Sequence, residues 1–390
     1  MKIKQLHIEG FRSLKNVTWE PGDLNILIGA NGTGKSNLLR FLEMMVVSAR
    51  GGLGKYVRSL GGIDAVTWDG QAEHISFALD FDDEFLRPHC YELRLTRMGR
   101  SGVYNITREV LSMAYNDEKE EPLVFIERGW HDARVKEYMP SEFRELDPMK
   151  ISLEETLLSS ATGALLTLPN IAGFHDSLVS FATFHDIQVH SDAEIRRPSV
   201  SRVEKQVEPD GQNLINVLHT LYTSDREFER NVDAAMRAAF GGDYEKLVFP
   251  PAADQRIQLR VRWKTLKREQ SAADLSDGTL RFLFLLTVLA SPDPPPVIAI
   301  DEPETGLHPA MLPIVAEFAA DAALRAQVVL STHSPQLLDA FTETKPTTTV
   351  FKWHDGETLL QNLSGEDLDY WLKEYTLGAL FKSGELERMA

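Results

Sequence analysis

The segment Leu24–Ser36, LNILIGANGTGKS, constrains the fold of this chain more than any other stretch. Its apolar beginning predicts a buried strand, and helix-forming residues follow the segment directly. The pattern Gly-x4-Gly-Lys-Ser, which begins at Gly29, joins the two. Such a loop is typical of phosphate binding, because its glycines let successive backbone N–H groups point inward and the helix adds the positive end of its dipole. The segment therefore predicts a nucleotide-binding domain of the α/β class.

Two side chains of this loop have the chemistry that a nucleoside triphosphate requires. Lys35 is expected to reach the β- and γ-phosphates, and the hydroxyl of Ser36 is expected to bind Mg²⁺. We therefore expect ATP and Mg²⁺ as cofactors. The alternative is a glycine-rich loop that binds no nucleotide, and motifs further along the chain disfavour it. The predicted nucleotide-binding residues of the segment are Asn31, Gly32, Gly34, Lys35, Ser36 and Asn37.

A second apolar strand, Val297–Glu302, ends in two carboxylates. The tip of a strand beside a phosphate loop is where Mg²⁺ must be held, so Asp301 is the candidate ligand, directly or through water. Glu302 is then placed to orient or deprotonate a water that attacks the γ-phosphate. Adjacent acids at a strand end also occur by chance, but the upstream glycine loop favours the catalytic interpretation.

A third apolar strand, Val328–Leu330, leads into the tetrapeptide STHS, which contains His333. A histidine at the tip of a core strand is often a buried structural residue. Because parallel strands end at one edge of a sheet, we place His333 beside Asp301 instead. We predict that His333 contacts the γ-phosphate or the attacking water.

The segment Leu275–Arg281, LSDGTLR, opens an apolar helix and offers a second anion site. Ser276 and Gly278 would supply a hydroxyl and free backbone N–H groups at the helix N-terminus. One nucleotide does not need two such sites from one chain. The economical arrangement is a symmetric homodimer in which Ser276 of one subunit closes over the phosphate that Lys35 of the other subunit holds.

Composition disfavours several classes of protein. Acidic residues outnumber basic ones by 58 to 41, and the net charge of −17 disfavours strong non-specific DNA binding by the surface as a whole. The longest apolar run, Phe282–Ala290, is too short to cross a membrane, and the first ten residues lack the apolar core of a secretion signal. A single cysteine, Cys90, excludes an intrachain disulfide. We therefore expect a cytoplasmic protein with no membrane partner.

The residue pattern changes twice in the middle of the chain. Residues 73–128 alternate between apolar and polar types, which predicts an antiparallel, half-exposed sheet, and the residues that follow are predicted to be mainly helical. A predicted strand at Arg256–Lys264 then places cations on one face, and Lys267 and Arg268 raise the number of cations to six without an intervening acid. This basic strip is either a solvated face beside acidic neighbours or a surface for DNA or an acidic partner.

The motifs occur in an order that resembles the ABC class of ATPases. GANGTGKS, LSDGT, VIAIDEPETGLHP and STHS look like its Walker A, signature, Walker B with D-loop, and switch-histidine motifs. The opening GFRSLKN and the loop form GxNGxGKS are similar to the RecF, SMC and OLD-nuclease branch rather than to transporter subunits. The stretches PDGQNLINVLHTL and YTLGALFKSGELERM resemble free-standing predicted bacterial RecF-like ATPases.

This resemblance implies an ABC-type core with an antiparallel β lobe and an inserted helical lobe. It also implies a dimer that sandwiches two ATP molecules, with His333 sensing the γ-phosphate. Arg12, in the FRS position, would approach the phosphates as a cis arginine or brace the loop. The signature departs from the transporter pattern LSGGQ at Asp277 and Thr279, which leaves the role of Ser276 intact. The expected domains are a core of 1–50 and 250–390, a β lobe of about 70–130 and a helical lobe of 140–245.

Two features distinguish among members of this branch. The span from Lys35 to Ser276 shows no sustained heptads, which excludes a long SMC coiled coil. Fewer residues follow His333 than the roughly 100–150 that a further domain takes, so we expect no fused TOPRIM nuclease. The acidic pair Asp367 and Asp369 is interpreted as the start of a helix rather than a metal motif.

The sequence as a whole predicts an ATPase that dimerises on ATP and uses hydrolysis as a switch or timer. Its output would pass to a separately encoded effector, with a TOPRIM-type nuclease as the leading candidate, in phage defence or DNA maintenance. Assembly of such dimers into a larger oligomer is compatible with this expectation. The alternative is a RecF-type DNA-binding repair or loading protein that uses the basic strip for a DNA contact. A transporter subunit is disfavoured by the signature and by the large middle segment.

Overall fold

The computed structural model arranges the chain as two main β-sheets with helices between and around them. Strands are numbered β1–β20 and helices α1–α10 along the chain. The residues that the structure describes are 2–82, 89–99, 102–113, 121–136, 143–160, 169–341, 343–363, 372 and 375–389.

Six strands form the sheet that carries the nucleotide loop. In spatial order they are β10 (Ala182–Phe184), β17 (Val297–Asp301), β18 (Gln327–Ser331), β3 (Leu24–Ile28), β19 (Thr347–His354) and β20 (Glu357–Leu363). The first five run parallel, and β20 pairs with β19 in the antiparallel sense. Strands buried on both faces read as continuous apolar runs, which is why the sequence identified β3, β17 and β18.

The second sheet has eight antiparallel strands. In spatial order they are β2 (Leu14–Trp19), β1 (Lys2–Phe11), β4 (His74–Asp82), β5 (His89–Met98), β6 (Val103–Met113), β7 (Leu123–Arg128), β8 (Ala133–Lys136) and β9 (Phe143–Glu145). The antiparallel sheet predicted for residues 73–128 is confirmed as β4–β7. The structure extends this sheet on both sides, because β1 pairs with β4 and β8 pairs with β7.

Two three-stranded sheets occupy the region before the signature segment. They are β11 (Ser199–Val200), β14 (Arg256–Ile257) and β13 (Pro251–Ala252), and β12 (Tyr244–Val248), β15 (Arg260–Trp263) and β16 (Gln270–Ser271). The prediction of one continuous strand at Arg256–Lys264 is therefore wrong. Its two halves pair with different partners, since β14 joins β11 and β13 whereas β15 joins β12 and β16.

Helices pack on both faces of the parallel sheet and in the core beside the antiparallel sheet. They are α1 (Lys35–Ala49), α2 (Leu53–Ser59), α3 (Ile63–Val66), α4 (Leu157–Ser160), α5 (Pro169–Val179), α6 (Leu214–Ser224), α7 (Arg226–Phe240), α8 (Asp277–Leu289), α9 (Leu312–Ala323) and α10 (Pro335–Ala340). Two further short helices lie at Leu377–Lys382 and Glu385–Met389. The predicted helices after the loop, at 214–221 and 228–240, and at the signature segment are confirmed as α1, α6, α7 and α8.

Alternate residues of β3 face two separate hydrophobic cores. Ile26 and Ile28 pack into the core that contains α6–α9, whereas Leu27 packs into the core that contains α1 and the antiparallel sheet. A slip of one residue would exchange these faces, so burial on both sides fixes the register of the strand. The loop that follows β3 therefore starts from a rigid support.

One strand of the parallel sheet comes from an unexpected part of the chain. β10 lies within residues 140–245, which the sequence assigned to an inserted helical lobe, and it pairs with β17 at the edge of the sheet. The segment therefore contains short strands as well as the helices predicted for it. The domain boundaries themselves stay a prediction.

Candidate nucleotide-binding and catalytic site

The carboxyl edge of the parallel sheet brings the sequence-predicted residues together. Asp301 lies opposite Ser331 in the register, and Ser331 lies opposite Leu27, two residues before Gly29. The glycine loop, the acidic strand end and the STHS segment are therefore neighbours. Polar groups at this edge of a parallel sheet are in the usual position for a ligand site in such folds.

Lys35 is buried at the first position of α1 and lies across the glycine loop. Its ammonium group donates hydrogen bonds to the carbonyls of Gly29 (2.9 Å) and Ala30 (3.0 Å). Gly34 has φ of +104°, and a Cβ atom there would lie 2.4 Å from Oγ1 of Thr358. Both the backbone conformation and the close approach therefore require glycine at this position.

Three side chains from different parts of the chain support the loop. The amide of Asn37 donates to Oγ of Ser13 (2.8 Å), and the hydroxyl of Thr358 lies 2.8 Å from both Oγ of Ser13 and the carbonyl of Thr33. The backbone N–H of Thr358 also donates to the carbonyl of Ser13 (2.8 Å). The sequence motifs point to Asn37 but not to Thr358, because β20 carries no recognisable pattern at that position.

Arg12 reaches the same region from the turn between β1 and β2. It has φ of +47°, and its guanidinium group lies 3.5 Å from Oδ1 of Asn37. Its buried Nε atom has no hydrogen-bond partner among the described residues. Burial and the charge of Arg40 lower the pKa of Arg12. The contact with Asn37 matches the bracing role, and the approach to the phosphates stays a prediction.

Asp301 and Ser36 form an oxygen pair that fits Mg²⁺. Burial raises the pKa of Asp301, but the nearby His185 and the hydroxyls of Ser331 and Ser36 outweigh burial, so the net pKa lies below its ordinary value. An ionised carboxylate beside a hydroxyl suits Mg²⁺, which takes few protein ligands and completes its shell with phosphate and water. Among the described residues, no cluster of three or more His, Cys, Asp or Glu side chains offers another metal site.

His185 is a site residue that the sequence motifs do not reveal. It directly follows β10 and lies between two carboxylates, with Nδ1 3.8 Å from Oδ2 of Asp301 and Nε2 3.5 Å from Oε2 of Glu43. Burial opposes a charge on His185, but these two carboxylates raise its pKa above the ordinary value. Glu43 in turn accepts a hydrogen bond from the hydroxyl of Tyr56 (2.8 Å). A strand of only three residues gave no periodic signal that could have located His185.

Glu302 and His333 face each other beyond the end of β17. Nε2 of His333 lies 3.8 Å from Oε1 of Glu302, whose side chain is 51% exposed. Glu302 has φ of +46°, and its backbone N–H donates to the carbonyl of Ser331 (3.2 Å). Burial and the charge of Lys35 lower the pKa of His333. Both side chains lie at the sheet edge where the sequence placed them, and their contact with the γ-phosphate or the attacking water stays a prediction.

Glu304 holds the histidine segment in place. Its Oε1 atom accepts hydrogen bonds from the hydroxyl of Thr332 (2.6 Å) and from the backbone N–H of His333 (3.0 Å). Burial raises the pKa of Glu304, and its Oε2 atom has no partner among the described residues. The sequence gives Glu304 only as part of the acidic motif and does not reveal this supporting role.

The signature segment lies at the exposed start of α8. Ser276 is the N-cap of this helix, and its Oγ accepts a hydrogen bond from the backbone N–H of Thr279 (3.1 Å). Ser276 is exposed to solvent, and Gly278 packs closely against the carbonyl of Gly306 in the D-loop. The predicted helix N-terminus is therefore confirmed, whereas binding of a phosphate there stays a prediction.

An open cleft of about 850 Å³ lies beside the glycine loop. Its wall includes Arg12 and Asn37 together with two tryptophans, Trp68 and Trp353. Trp353 is 54% exposed, and the indole N–H of Trp68 donates to the carbonyl of Gly356 (3.1 Å). The cleft therefore combines flat aromatic surfaces with polar groups that adjoin the loop.

Most of the basic strip is engaged by neighbouring groups. Arg256 donates to the carbonyl of Pro198, Arg260 to the side chain of Gln258, Arg262 to Glu269 and Lys264 to the carbonyl of Gly242. Four of the six cations thus have partners within the chain. Of these four partners, Glu269 is an acid and the other three are neutral, so the contacts do not decide between a solvated face and a binding surface.

Two further interpretations of the sequence concern the acidic pair near the end of the chain and the crossing of a membrane. Asp367 and Asp369, interpreted as the start of a helix, lie outside the described residues. Within the described parts of the chain, no helix combines the length and apolar character that crossing a membrane requires.

The fold defines the class of protein. The chain matches an SMC head bound to the C-winged helix domain of ScpA with a TM-score of 0.57 at 15% identity, over 95% of this chain and 100% of that one. It also matches an SMC head with an extended coiled coil, bound to the C-terminal domain of ScpA and derived from Pyrococcus furiosus, with a TM-score of 0.51 at 14% identity. That match covers 96% of this chain and 99% of the other. The chain therefore has the α/β fold of ABC-type P-loop ATPase heads, as predicted.

The family is shown by a match of sequence rather than of structure. The family model described as "AAA domain, putative AbiEii toxin, Type IV TA system" matches residues 24–339, which contain all four motifs from the glycine loop to STHS. The chain belongs to this family. Its likeness to SMC heads supports the fold of an ABC-class ATPase of the RecF/SMC branch. No curated protein matches the sequence.

Proposed function

We propose that this chain binds and hydrolyses ATP with Mg²⁺ and that two copies close around two ATP molecules. The observation that carries the proposal is the grouping of Lys35, Asp301 and Glu302 at one sheet edge, while Ser276 stands exposed at the start of α8. The first group suits one end of a triphosphate. The exposed helix N-terminus suits the open side of a phosphate that another subunit holds.

Each residue at the sheet edge has a distinct task in this proposal. The glycine loop and Lys35 hold the β- and γ-phosphates, and Ser36 and Asp301 hold Mg²⁺, which neutralises charge on the phosphate oxygens. Glu302 orients the attacking water and accepts its proton. His333 contacts the γ-phosphate or the water from the opposite side, and its lowered pKa keeps it neutral near pH 7.

The cleft beside the loop is the proposed site of the nucleoside. A triphosphate chain in the loop places the nucleoside beyond Asn37, where Trp68 and Trp353 lie. Aromatic side chains of this kind offer a face on which a base can stack. Arg12 and Asn37 are then available to the α-phosphate or the ribose.

The closed dimer is the proposed signal, and hydrolysis ends it. Binding energy from two shared phosphates holds the subunits together, and loss of the γ-phosphate releases them. A cycle of this kind suits a switch or timer that acts through a separately encoded effector, as predicted from the sequence. Two findings support a partner: the family description refers to toxin–antitoxin systems, and the similar SMC heads were solved with a bound protein. A TOPRIM-type nuclease in phage defence or DNA maintenance stays the leading candidate.

The alternative of a RecF-type DNA-binding protein has less support. It requires a cationic surface that faces the DNA, and in the basic strip Arg262 is paired with the carboxylate of Glu269. The net charge of −17 also opposes contact with a polyanion.

Glu302→Gln tests the proposed mechanism. This change keeps the size of the side chain but removes the proton acceptor, so we expect ATP hydrolysis to fall by about 100-fold or more. Nucleotide binding should be retained, and the variant should accumulate as an ATP-bound dimer in analytical ultracentrifugation. Glu317→Gln, on the exposed face of α9, is the matched control and should behave as wild type. Hydrolysis by Glu302→Gln at the wild-type rate would overturn the mechanism.

A further inference from the structure

Arg196 is a buried cation that the proposed chemistry does not use. Its side chain is 7% exposed and ends beneath the signature segment. The Nε atom donates to the carbonyl of Val189 (2.7 Å), and Nη1 donates to the carbonyl of Leu275 (2.7 Å) and lies 3.2 Å from that of Ala272. Nη2 pairs with the carboxylate of Asp277. A guanidinium group has five N–H donors in a fixed plane, so it can hold several acceptors in one arrangement.

The acceptors on Arg196 surround Ser276 in the sequence. Leu275 precedes Ser276, and Asp277 follows it. Neither side of the serine can therefore shift without breaking a bond to the same buried guanidinium group. Ser276 itself stays exposed and caps α8 through Thr279. Arg196 thus fixes the position of the proposed phosphate contact from below and leaves its outer face open.

This arrangement also explains how the signature departs from the transporter pattern. Asp277 takes the place of the first glycine of LSGGQ. Its side chain is 64% exposed, and one of its oxygens points back to Arg196. An acid in the first turn of a helix also interacts favourably with the helix dipole. The negative charge next to Ser276 is therefore partly neutralised before a phosphate arrives.

We propose that Arg196 and Asp277 form a positioning pair that holds Ser276 ready for the ATP bound to the other subunit. The proposal rests on the proposed function, because it assigns the pair to the dimer-closing half of the site. Arg196 contacts none of the residues assigned to the phosphate loop, the metal pair or the attacking water in the described structure. Loss of the pair should therefore weaken dimer closure and leave nucleotide binding by one subunit intact.

The test uses Arg196→Met in the Glu302→Gln protein, in which dimers accumulate. Removing several hydrogen bonds of a charged group should lower ATP-dependent dimer affinity about tenfold or more. Affinity of the monomer for a fluorescent ATP analogue should change less than about twofold, because the loop is untouched. Arg197→Met is the matched control, since Arg197 is the adjacent residue and its side chain is 52% exposed. We expect the control to dimerise like its parent.

Asp277 gives a second set of variants that does not depend on a buried side chain. Asp277→Asn keeps the shape but removes the charge, and it should weaken dimerisation about threefold or more. Asp277→Glu keeps the charge and should restore most of the affinity. A merely structural role would lower thermal stability and nucleotide binding in parallel with dimerisation, and it would show no rescue by glutamate.

The outcomes separate this inference from the proposed function. If the parent Glu302→Gln protein stays monomeric with ATP and Mg²⁺, the proposed function fails. If the parent dimerises and both Arg196→Met and Asp277→Asn dimerise equally well, only the positioning pair is overturned. If Arg196→Met does not fold, the two Asp277 variants decide the question.

Discussion

Asp301 and Glu302 are adjacent in the chain but lie in different environments. Asp301 ends β17, is held by Ser331 and has a lowered pKa. Glu302 adopts a left-handed φ of +46°, which turns its half-exposed side chain away from the strand towards His333. Non-glycine residues adopt such a conformation at a cost of about 1–3 kcal/mol and often at functional sites. This turn would let Asp301 hold the proposed metal while Glu302 contacts the proposed attacking water.

Glu304 gives a prediction about the histidine beside this pair. Glu304→Ala leaves the hydroxyl of Thr332 and the backbone N–H of His333 without their acceptor, so we expect the hydrolysis rate to fall about tenfold or more. Glu304→Gln should retain most of the activity, because burial already raises the pKa of Glu304 and glutamine keeps an acceptor oxygen. Steady-state ATPase rates and nucleotide titration measure both effects. Wild-type hydrolysis by Glu304→Ala would contradict this supporting role.

The site residues that the sequence predicts are recognised from their immediate neighbours in the chain, whereas the ones it misses depend on contacts with distant segments. Lys35 and Asp301 belong to local patterns: the glycine loop indicates a phosphate contact for Lys35, and the strand end indicates a metal ligand at Asp301. The roles of His185 and Arg196 are inferred from their contacts with Asp301 and Leu275, respectively, which lie far away in the sequence. One sequence carries no local signal for such contacts, because it does not show which segments meet.

Cys90 gives a second prediction about a single residue. Burial and the neighbouring carboxylate of Asp80 raise the pKa of the thiol, so the reactive thiolate is scarce at neutral pH. We expect the folded protein to react with a thiol reagent at pH 7.5 at least about tenfold more slowly than the same chain unfolded in urea. Equal rates in the two states would contradict the described environment of Cys90.

At the scale of elements, the buried parallel strands were the easiest to predict. β3, β17 and β18 each contain three or four consecutive apolar residues, because both of their faces are covered. The segment Arg256–Lys264 also alternates regularly, yet it breaks into β14 and β15 because each half has different partners. The alternation of apolar and polar residues indicates which face of a strand is buried, but it does not indicate which strand pairs with it. β10 escaped prediction because three residues are too few to show any period.

The helix Leu377–Lys382 gives a prediction about packing. A Cβ atom on Gly378 would lie 2.1 Å from the carbonyl of Pro335 in α10, and the backbone N–H of Gly378 donates to Asp339 (3.0 Å). Gly378→Ala should therefore lower the free energy of unfolding by about 1–3 kcal/mol. The matched control is Gly173→Ala in α5, where a Cβ atom would meet nothing within 4 Å. The control should raise the free energy of unfolding by up to about 1 kcal/mol.

Chemical denaturation of the two glycine variants measures this difference directly. A destabilised Gly378→Ala beside an unchanged or stabilised Gly173→Ala supports the described packing of the helix Leu377–Lys382, here called the tail helix, against α10. Equal stability of the two variants would show that the tail helix does not lie as close to α10 as described.

At the scale of the whole molecule, the proposed site is divided between two subunits. The glycine loop, the proposed metal ligands and the proposed catalytic acid lie at the carboxyl edge of the parallel sheet, and the signature serine lies exposed at the start of α8. In a symmetric dimer, the sheet edge of each subunit meets the signature segment of the other subunit, which gives two equivalent sites. The order of motifs in the sequence predicts this division, whereas the buried Arg196 that holds the signature segment emerges only from the folded chain.

The most direct test of the shared site mixes two inactive variants. Lys35→Ala removes the phosphate contact of the loop. Ser276→Asp keeps a residue that caps α8 but places a negative charge against the phosphate of the other subunit. Ser276→Asn, which caps without a charge, is the control and should retain more activity than Ser276→Asp.

Each variant alone should hydrolyse ATP poorly, because both of its composite sites are damaged. A mixture should recover up to about a quarter of wild-type activity, because about half of randomly paired dimers contain one intact site of two. Measurement of ATPase activity across mixing ratios gives the answer. Recovery that peaks near an equal mixture is the predicted result, and wild-type activity of Ser276→Asp alone, or no recovery in any mixture, would contradict the shared site.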